Sequence, residues 1–120
     1  MIGLETGWGA LRAKLGKSGD FNKCINMINC AKHAGINIGL TLLTGAAPRE
    51  LRKENLKQTL ITLESLELSS RDLIYLSPLS KNDFVDDAAL EEQSEMKAVM
   101  ITMTDAKVVP YQMQRFHYFM

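Results

Sequence analysis

Three loop segments carry residue types that could contact a ligand. Glu5 stands between glycines in GLETGWG (3–9), TGAAP occupies 44–48, and SPLS occupies 77–80. A carboxylate such as Glu5 accepts hydrogen bonds from an ammonium group or a sugar hydroxyl, and the neighbouring glycines would let a flat ligand approach the backbone. The alternative is structural, because Glu5 and Thr44 could cap the helices that follow them. Position alone does not separate ligand contact from capping.

Two segments that suggest a particular chemistry do not fit it. LGKSG (15–19) ends like a phosphate-binding loop, but that motif requires a glycine where Leu11 stands and a preceding strand. Cys24 and Cys30 are six residues apart, about 240° around a helix, so their thiols cannot share one face. We therefore expect no metal pair and no phosphate-binding loop.

The histidines and the acidic residues favour structural interpretations. His33, at a predicted helix end, is interpreted as a favourable charge at the negative pole of that helix, and His117 has no visible partner in the sequence. The acidic stretch 83–95 is interpreted as a solvated helix face with a negative first turn, with a cation site as the alternative. No Ser/His/Asp or Cys/His combination can be assembled, so we assign no catalytic or metal-binding residue.

The apolar pattern predicts the elements that must position these loops. Ile2 and Leu4 predict a first strand, and the apolar runs 36–43 and 73–80 predict two more. The predicted helices are a short one that stops at Gly16, one between Asp20 and Gly35, one of about 18 residues from Pro48, and one over 88–103. The last helix is expected to bury Leu90, Met96, Val99, Met100 and Met103.

Strands that alternate with helices and are almost wholly apolar indicate parallel βα units and the α/β class. Three strands are few for a parallel sheet, so the sheet is expected to be incomplete. A single domain, 1–120, would contain βα units in 1–80 and a C-terminal helix and aromatic tail in 81–120. We expect the tail to pack on the domain, and the sheet edge to require either a missing N-terminal half or self-association.

The charge balance, the length of the apolar runs and the cysteine count limit which kinds of function we expect. The 14 basic residues balance the 14 acidic ones without a basic cluster, so neither nucleic acid nor an anionic membrane is expected as a partner. The apolar runs are too short to span a bilayer, and the start lacks a signal-peptide pattern, so we expect a cytoplasmic protein. The two cysteines are expected to be reduced thiols.

Three segments occur in an order that resembles the radical S-adenosylmethionine (radical SAM) enzymes: IGLETG (2–7), AKHAGINIGLTLLTGAAP (31–48) and DLIYLSPL (72–79). They resemble the second half of that family's partial (β/α)6 barrel, which implies an incomplete parallel β/α barrel of about three βα units, a TIM-like half barrel. There the fourth strand commonly ends in GLE-S/T-G, a helix with A-x-x-A-G-I follows, and a glycine-containing loop follows the fifth strand. LLTGAAPRE (42–50) looks like a variant of that loop, although many members have GxPGE.

The resemblance implies cofactor-binding roles for six residues. Glu5 would contact the ribose or the amino-acid part of S-adenosylmethionine. Residues of the fifth strand would back the adenine, and backbone groups of the sixth would border it. These implied adenine contacts are Gly39, Thr44, Gly45, Leu76 and Ser77.

One departure from the family decides the functional interpretation. The family holds a [4Fe–4S] cluster on a C-x-x-x-C-x-x-C loop, and this sequence contains no such motif. We therefore interpret the chain as a C-terminal fragment of a radical SAM iron–sulfur oxidoreductase that contributes part of the S-adenosylmethionine pocket and is inactive alone. Its expected partner is an N-terminal half barrel or a second copy. The alternative is a non-catalytic α/β structural or interaction module that assembles through an open sheet edge.

Overall fold

Strands and helices alternate along the chain, as the apolar pattern predicts. The computed structural model describes residues 2–16, 21–81, 84–85 and 87–110. In chain order the elements are β1 (Ile2–Glu5), α1 (Gly9–Lys14), α2 (Phe21–His33), β2 (Gly39–Thr44), a 3₁₀ turn (Arg49–Leu51), α3 (Arg52–Ser65), β3 (Leu73–Pro78), β4 (Ser80–Lys81), β5 (Phe84–Val85), α4 (Asp87–Met103) and β6 (Lys107–Pro110).

Four strands form one parallel sheet in the order β1-β2-β3-β6. The short strands β4 and β5 form a separate antiparallel hairpin between β3 and α4. The class is therefore α/β, as predicted, but the sheet has four strands instead of three. Each main strand lies beside the next main strand of the sequence, so the strand order never reverses.

Helices α2, α3 and α4 bury their apolar side chains on the same face of the sheet. Alternate strand residues meet them there in one cluster, whose members include Leu4, Ile28, Leu40, Leu42, Leu63, Ile74, Leu76, Met96, Met100 and Val108. Most of the intervening strand residues are half-buried, and they do not belong to this cluster. We call that side the open face; it consists of Thr41, Leu43, Leu73, Tyr75 and Val109.

Glycines end two helices close to the predicted positions. Gly16 and Gly35 have φ of 77° and 80°, a conformation that glycine adopts without strain. After α2, Gly35 N–H donates to Lys32 O and Ile36 N–H to Ala31 O, which is the Schellman pattern. Because Ile36 is used to close the helix, β2 begins at Gly39 and not at the predicted residue 36. The predicted cap at Asp20 lies outside the described residues.

Helix α4 confirms its predicted bounds but not all of its predicted buried side. Met96 and Met100 are buried as expected, whereas Leu90 and Met103 are 43% and 49% exposed, so their predicted burial was wrong. The buried positions are Ala89, Glu92, Met96 and Met100, a helical stripe that does not include Leu90. Met103 lies on the same stripe but is the last residue of the helix. Glu92 is 3% exposed, which corrects the interpretation of the acidic stretch as a wholly solvated face.

Within the described ranges, no helix has the length and apolarity needed to cross a membrane.

Candidate functional site

The carboxyl ends of β1, β2 and β3 lie side by side, as parallel pairing requires. Glu5 is next to Leu42, while Leu43 is next to Ser77 and Thr44 is next to Pro78. The loops that begin at these three positions therefore meet at one end of the sheet, which we call the carboxyl rim.

Gly39 does not belong to the carboxyl rim. It is the first residue of β2 and pairs with Leu73, the first residue of β3. The length of β2 puts it about 17 Å from Thr44, at the opposite end of the sheet. The implied grouping of Gly39 with Thr44 and Gly45 around one adenine does not fit this separation.

Glu5 has the most unusual backbone at the carboxyl rim. Its φ is 70°, and it is the only non-glycine residue with positive φ in the described ranges. This left-handed conformation costs a residue with a Cβ roughly 1–2 kcal/mol. The β1–β2 register also shifts between Gly3 and Glu5, which marks a β-bulge or similar irregularity. Bulges redirect side chains, and retained backbone strain concentrates at functional sites, so Glu5 is the strongest candidate for ligand contact.

Helix α3 fixes the chain directly after Glu5. Thr6 Oγ1 donates to Asn55 Oδ1 at 2.6 Å, Gly7 N–H donates to Thr59 Oγ1 at 3.1 Å, and Thr62 Oγ1 donates to Gly7 O at 2.6 Å. A Cβ on Gly7 would lie 2.6 Å from Thr59 Cα. Gly7 thus allows close approach, as expected, but the approaching group is a helix and not a ligand.

The Thr44–Gly45 turn is the docking point of α4. The Thr44 side chain is fully buried and donates to Ala89 O at 2.8 Å, while Gly45 N–H donates to Glu92 Oε2 at 2.7 Å. Gly45 has φ of 81°, and a Cβ there would lie 2.6 Å from Ala89 Cβ. These donors are already occupied by the protein, so the turn holds a helix where the sequence suggested an adenine contact.

The N-cap positions decide the alternative that Glu5 and Thr44 are helix caps. The N-cap of α1 is Trp8, and the N-cap of the 3₁₀ turn before α3 is Pro48. Neither Glu5 nor Thr44 occupies the capping position that the structural interpretation gave it.

Glu92 is a site residue that the sequence interpretation missed. In addition to Gly45, its Oε2 lies 4.0 Å from Arg52 Nε, a buried donor that makes no hydrogen bond within the described part of the chain. Arg52 Nη2 bonds to Glu95 Oε2 at 3.0 Å. Glu92 therefore connects the β2 turn, the start of α3 and the first half of α4 beside the carboxyl rim.

The predicted β3 contacts differ in their environment. The Leu76 side chain is fully buried on the helix side, and its carbonyl oxygen accepts a hydrogen bond from Gln93 Nε2 at 2.7 Å. Ser77 follows at the carboxyl rim and is 9% exposed. The sheet thus brings Ser77 to the same end as Glu5, while Leu76 is tied to α4.

The described residues offer little for a metal or an enclosed ligand. They contain no group of three or more His, Cys, Asp and Glu side chains suited to a metal ion. Cys24 is half-buried, Cys30 is exposed, and His33 Nε2 contacts the Glu67 carboxylate. A cavity of about 60 Å³ beside Trp8 is far smaller than the roughly 300 Å³ at which ligand pockets begin. His117 lies outside the described residues.

Asp72, at the amino end of the sheet, is a second residue that sequence reasoning missed. Its fully buried carboxylate accepts hydrogen bonds from Lys32 Nζ at 2.8 Å, Ile38 N–H at 2.8 Å and Ser69 N–H at 2.7 Å. Burial raises the pKa of Asp72, but these hydrogen bonds and the Lys32 charge outweigh burial and hold it below its ordinary value. An aspartate immediately before an apolar run was the available signal.

Comparison with known proteins identifies no relative. No protein-family model matches the chain, and no curated protein or solved structure is significantly similar to it. A functional assignment must therefore be argued from the motifs of the sequence and from the geometry of the fold.

Proposed function

We propose that this chain supplies part of an S-adenosylmethionine pocket, as a segment of a radical SAM-like β/α half barrel. The strand order supports this proposal. In a β/α barrel, consecutive parallel strands are neighbours, helices lie outside, and ligands bind at the carboxyl ends of the strands. A doubly wound sheet would instead have helices on both faces and a reversal of strand order. The order β1-β2-β3-β6, with α2, α3 and α4 on one face, favours the first arrangement over the second.

The backbone of Glu5 is the single observation that carries the ligand assignment. A glutamate with φ of 70° at the end of β1 accepts strain that a glycine would avoid. Its carboxylate is chemically suited to the α-ammonium group or the ribose hydroxyls of S-adenosylmethionine. The backbone geometry and the motif resemblance both point to Glu5, and the resemblance supplies S-adenosylmethionine as the ligand.

The proposed pocket is narrower than the resemblance alone implies. Glu5 and Ser77 belong to it, together with the open face, which would correspond to the barrel interior. Thr44, Gly45 and Leu76 support it indirectly by docking α4. Strand β6 follows the strand that resembles the family's sixth, so the proposed barrel segment extends one strand further than the family pattern.

The chain's own residues are proposed to bind and orient the cofactor, and not to cleave it. A [4Fe–4S] cluster would supply the electron for cleavage, and its usual three-thiolate ligand set does not fit a sequence with two cysteines six residues apart. We therefore assign no redox step to this chain.

Isothermal titration calorimetry of the full chain with S-adenosylmethionine tests the proposal. We expect saturable heat from the wild type and at least about tenfold weaker binding for Glu5→Gln, because a charge-assisted hydrogen bond is lost. Glu64→Gln, an exposed position on α3, removes the same charge and should bind like the wild type. Absence of heat from a folded wild-type chain would refute the proposal.

Titration with adenosine, which lacks the amino-acid part of S-adenosylmethionine, identifies the part of the ligand that Glu5 contacts. If Glu5 binds the ribose, Glu5→Gln should weaken adenosine and S-adenosylmethionine alike. If Glu5 binds the amino-acid part, adenosine binding should be insensitive to the substitution.

A non-catalytic assembly module is the second candidate, and a specific observation favours it. The donors of the Thr44–Gly45 turn are both used to hold α4, which is the behaviour of a structural turn. Such a module would assemble through its outer strands, β1 and β6. Sedimentation of the chain over a range of concentrations tests this function: a dimer that forms without S-adenosylmethionine, together with no calorimetric heat, would support it over the first.

A further inference from the structure

Helix α3 leaves an apolar surface exposed on the side that does not pack into the core. A groove of about 410 Å³ runs along this side, and Met103 at the end of α4 completes its wall. Ile61 and Met103 are 53% and 49% exposed, although both are apolar. We call this surface the α3 groove; its apolar residues are Leu56, Leu60, Ile61 and Met103. Exposed apolar surface of this kind marks a site of interaction with another protein.

The charges of the α3 groove are segregated along the helix. Lys53 and Lys57 line its first half, and Glu64 lines its last turn. This order opposes the helix dipole, because cations are favoured near the carboxyl end of a helix and anions near its amino end. Lys53 and Lys57 also repel each other, since residues four apart are neighbours on a helix. Within the described ranges, none of the three side chains makes a hydrogen bond or an ion pair, so these charges lack a compensating partner there.

A second copy of the same helix, running in the opposite direction, would compensate these charges. Lys57 and Glu64 are seven residues apart, which is two turns and about 10 Å along one face of α3. If two α3 helices pack antiparallel about a two-fold axis between Leu60 and Ile61, Lys57 of each copy lies opposite Glu64 of the other. Leu60 of each copy then lies opposite Ile61 of the other, so apolar side chains meet at the axis. The α3 groove is therefore complementary to itself, as a two-fold interface requires.

We propose that the α3 groove is the contact surface of a symmetric homodimer, in which two α3 helices pack antiparallel with Ile61 at the centre and a Lys57–Glu64 ion pair on each side. One helix surface is smaller than the roughly 800 Å² per partner that stable complexes bury, so we expect a weak dimer with a Kd of about 100 μM. The interface lies on the helix side of the sheet and leaves the carboxyl rim and the open face uncovered. The inference therefore stands whether or not the chain binds S-adenosylmethionine, and it differs from assembly through β1 and β6.

Exchange of charges between two variants tests this pairing. Sedimentation equilibrium of the full chain, from about 10 μM to about 1 mM, measures the dimer Kd. Lys57→Glu places two carboxylates opposite each other twice in the dimer, and Glu64→Lys does the same with two ammonium groups. Each variant alone should therefore dimerise at least about tenfold more weakly than the wild type. An equimolar mixture of the two should recover the wild-type Kd, because every carboxylate then lies opposite an ammonium group in the heterodimer.

Matched controls separate the α3 groove from the rest of the surface. Lys97→Glu changes the net charge as Lys57→Glu does, but at an exposed position of α4 outside the groove, and should dimerise like the wild type. Ile61→Ser should weaken the dimer about tenfold, because it removes apolar surface from both copies at the axis. Ile101→Ser, at a position of α4 that is 57% exposed and outside the groove, should leave the Kd within about twofold. A mixture of the two charge variants that fails to recover the wild-type Kd, although both fold, would overturn the proposal.

Thiol labelling distinguishes a second copy from other occupants of the groove. In a background with Cys24→Ser and Cys30→Ser, Ile61→Cys should react with a soluble thiol reagent more slowly as the protein concentration rises through the Kd. Protection that does not depend on protein concentration would place another segment of the same chain in the groove and refute the proposal. A dimer that is insensitive to all the substitutions in the α3 groove would assemble through another surface, with the same consequence. A chain that stays monomeric at about 1 mM would refute it as well.

Discussion

Replacing Asp72 by asparagine should lower the free energy of unfolding by about 3 kcal/mol at pH 7. Asp72 Oδ1 accepts Ile38 N–H, its Oδ2 accepts Ser69 N–H, and Lys32 Nζ lies within 2.8 Å of both oxygens. The backbone oxygen of Asp72 also accepts Lys107 N–H at 3.0 Å. One fully buried residue therefore connects α2 with the starts of β2, β3 and β6.

The size of this loss of stability follows from how many of the carboxylate's hydrogen bonds an asparagine amide can still accept. Asparagine has one acceptor oxygen, so it can satisfy Ile38 N–H or Ser69 N–H but not both, and the orphaned donor costs about 1–3 kcal/mol. Lys32, whose side chain is 9% exposed, also loses its countercharge. Breaking a buried pair by removing one partner costs about 3–5 kcal/mol, and partial movement of Lys32 to solvent favours the lower end of that range.

Urea unfolding, monitored by circular dichroism, measures the difference in free energy of unfolding between the wild type and Asp72→Asn. The pH dependence of this difference separates the contribution of the Asp72 charge from that of packing. Folding lowers the pKa of Asp72 below its ordinary value of 3.8. Its stabilising contribution is therefore present above pH 3.8 and is lost as the pH falls through the lower folded-state pKa. The gap between wild type and Asp72→Asn should be constant from pH 7 to about pH 5 and should shrink below pH 4. Asp105→Asn, at an exposed position, should stay within about 0.5 kcal/mol of the wild type. A difference under about 1 kcal/mol at pH 7, or one that persists undiminished at low pH, would refute the reasoning.

Three further results are expected. Glu5→Gly should be more stable to urea than Glu5→Ala by about 1 kcal/mol, because alanine keeps the Cβ that opposes a positive φ; equal stabilities would contradict the strain at this residue. Gly45→Ala should cost about 2–4 kcal/mol through its positive φ and a steric clash with α4, since its Cβ would lie 2.6 Å from Ala89 Cβ, whereas Gly16→Ala, where nothing lies within 4 Å, should cost about 1 kcal/mol; similar losses at both positions would argue against the clash. Iron–sulfur reconstitution of the chain should give no stable cluster, and a stoichiometric [4Fe–4S] absorbance spectrum would disprove that expectation.

Local patterns were sufficient to predict most of the elements. The helical spacing of apolar residues predicted α4 over 88–103, within one residue of its observed bounds, and the apolar run after residue 72 predicted β3. Strand β6 was not predicted, because KVVP is short, begins with lysine and ends with proline. Its stability as a strand comes from pairing with β3, a contact between residues more than 30 positions apart, which no local pattern contains.

The sequence predicted where the candidate site lies, but it did not predict the role of each residue in it. Parallel strands alone brought Glu5 and Ser77 to one end of the sheet, which the sequence implied. The reason for Gly7 and Gly45 was not accessible, because both face helices that are distant in the sequence, at Thr59 and Ala89. The sequence does not distinguish a glycine that makes room for a ligand from a glycine that makes room for a helix. The tertiary structure is needed to tell which group approaches each glycine.

The surroundings of Glu5 explain why its strain is tolerated and why it points to function. Leu4 before it is fully buried, and Thr6 after it is 2% exposed and bonded to Asn55, so both neighbours are fixed by the core. A backbone held on both sides can keep an unfavourable φ at the residue between. Glycine would meet the same backbone requirement with less strain but would remove the carboxylate. If the carboxylate binds a ligand, Glu5→Gly should abolish binding without lowering stability, whereas a glutamate with a structural role would lose stability on the same substitution.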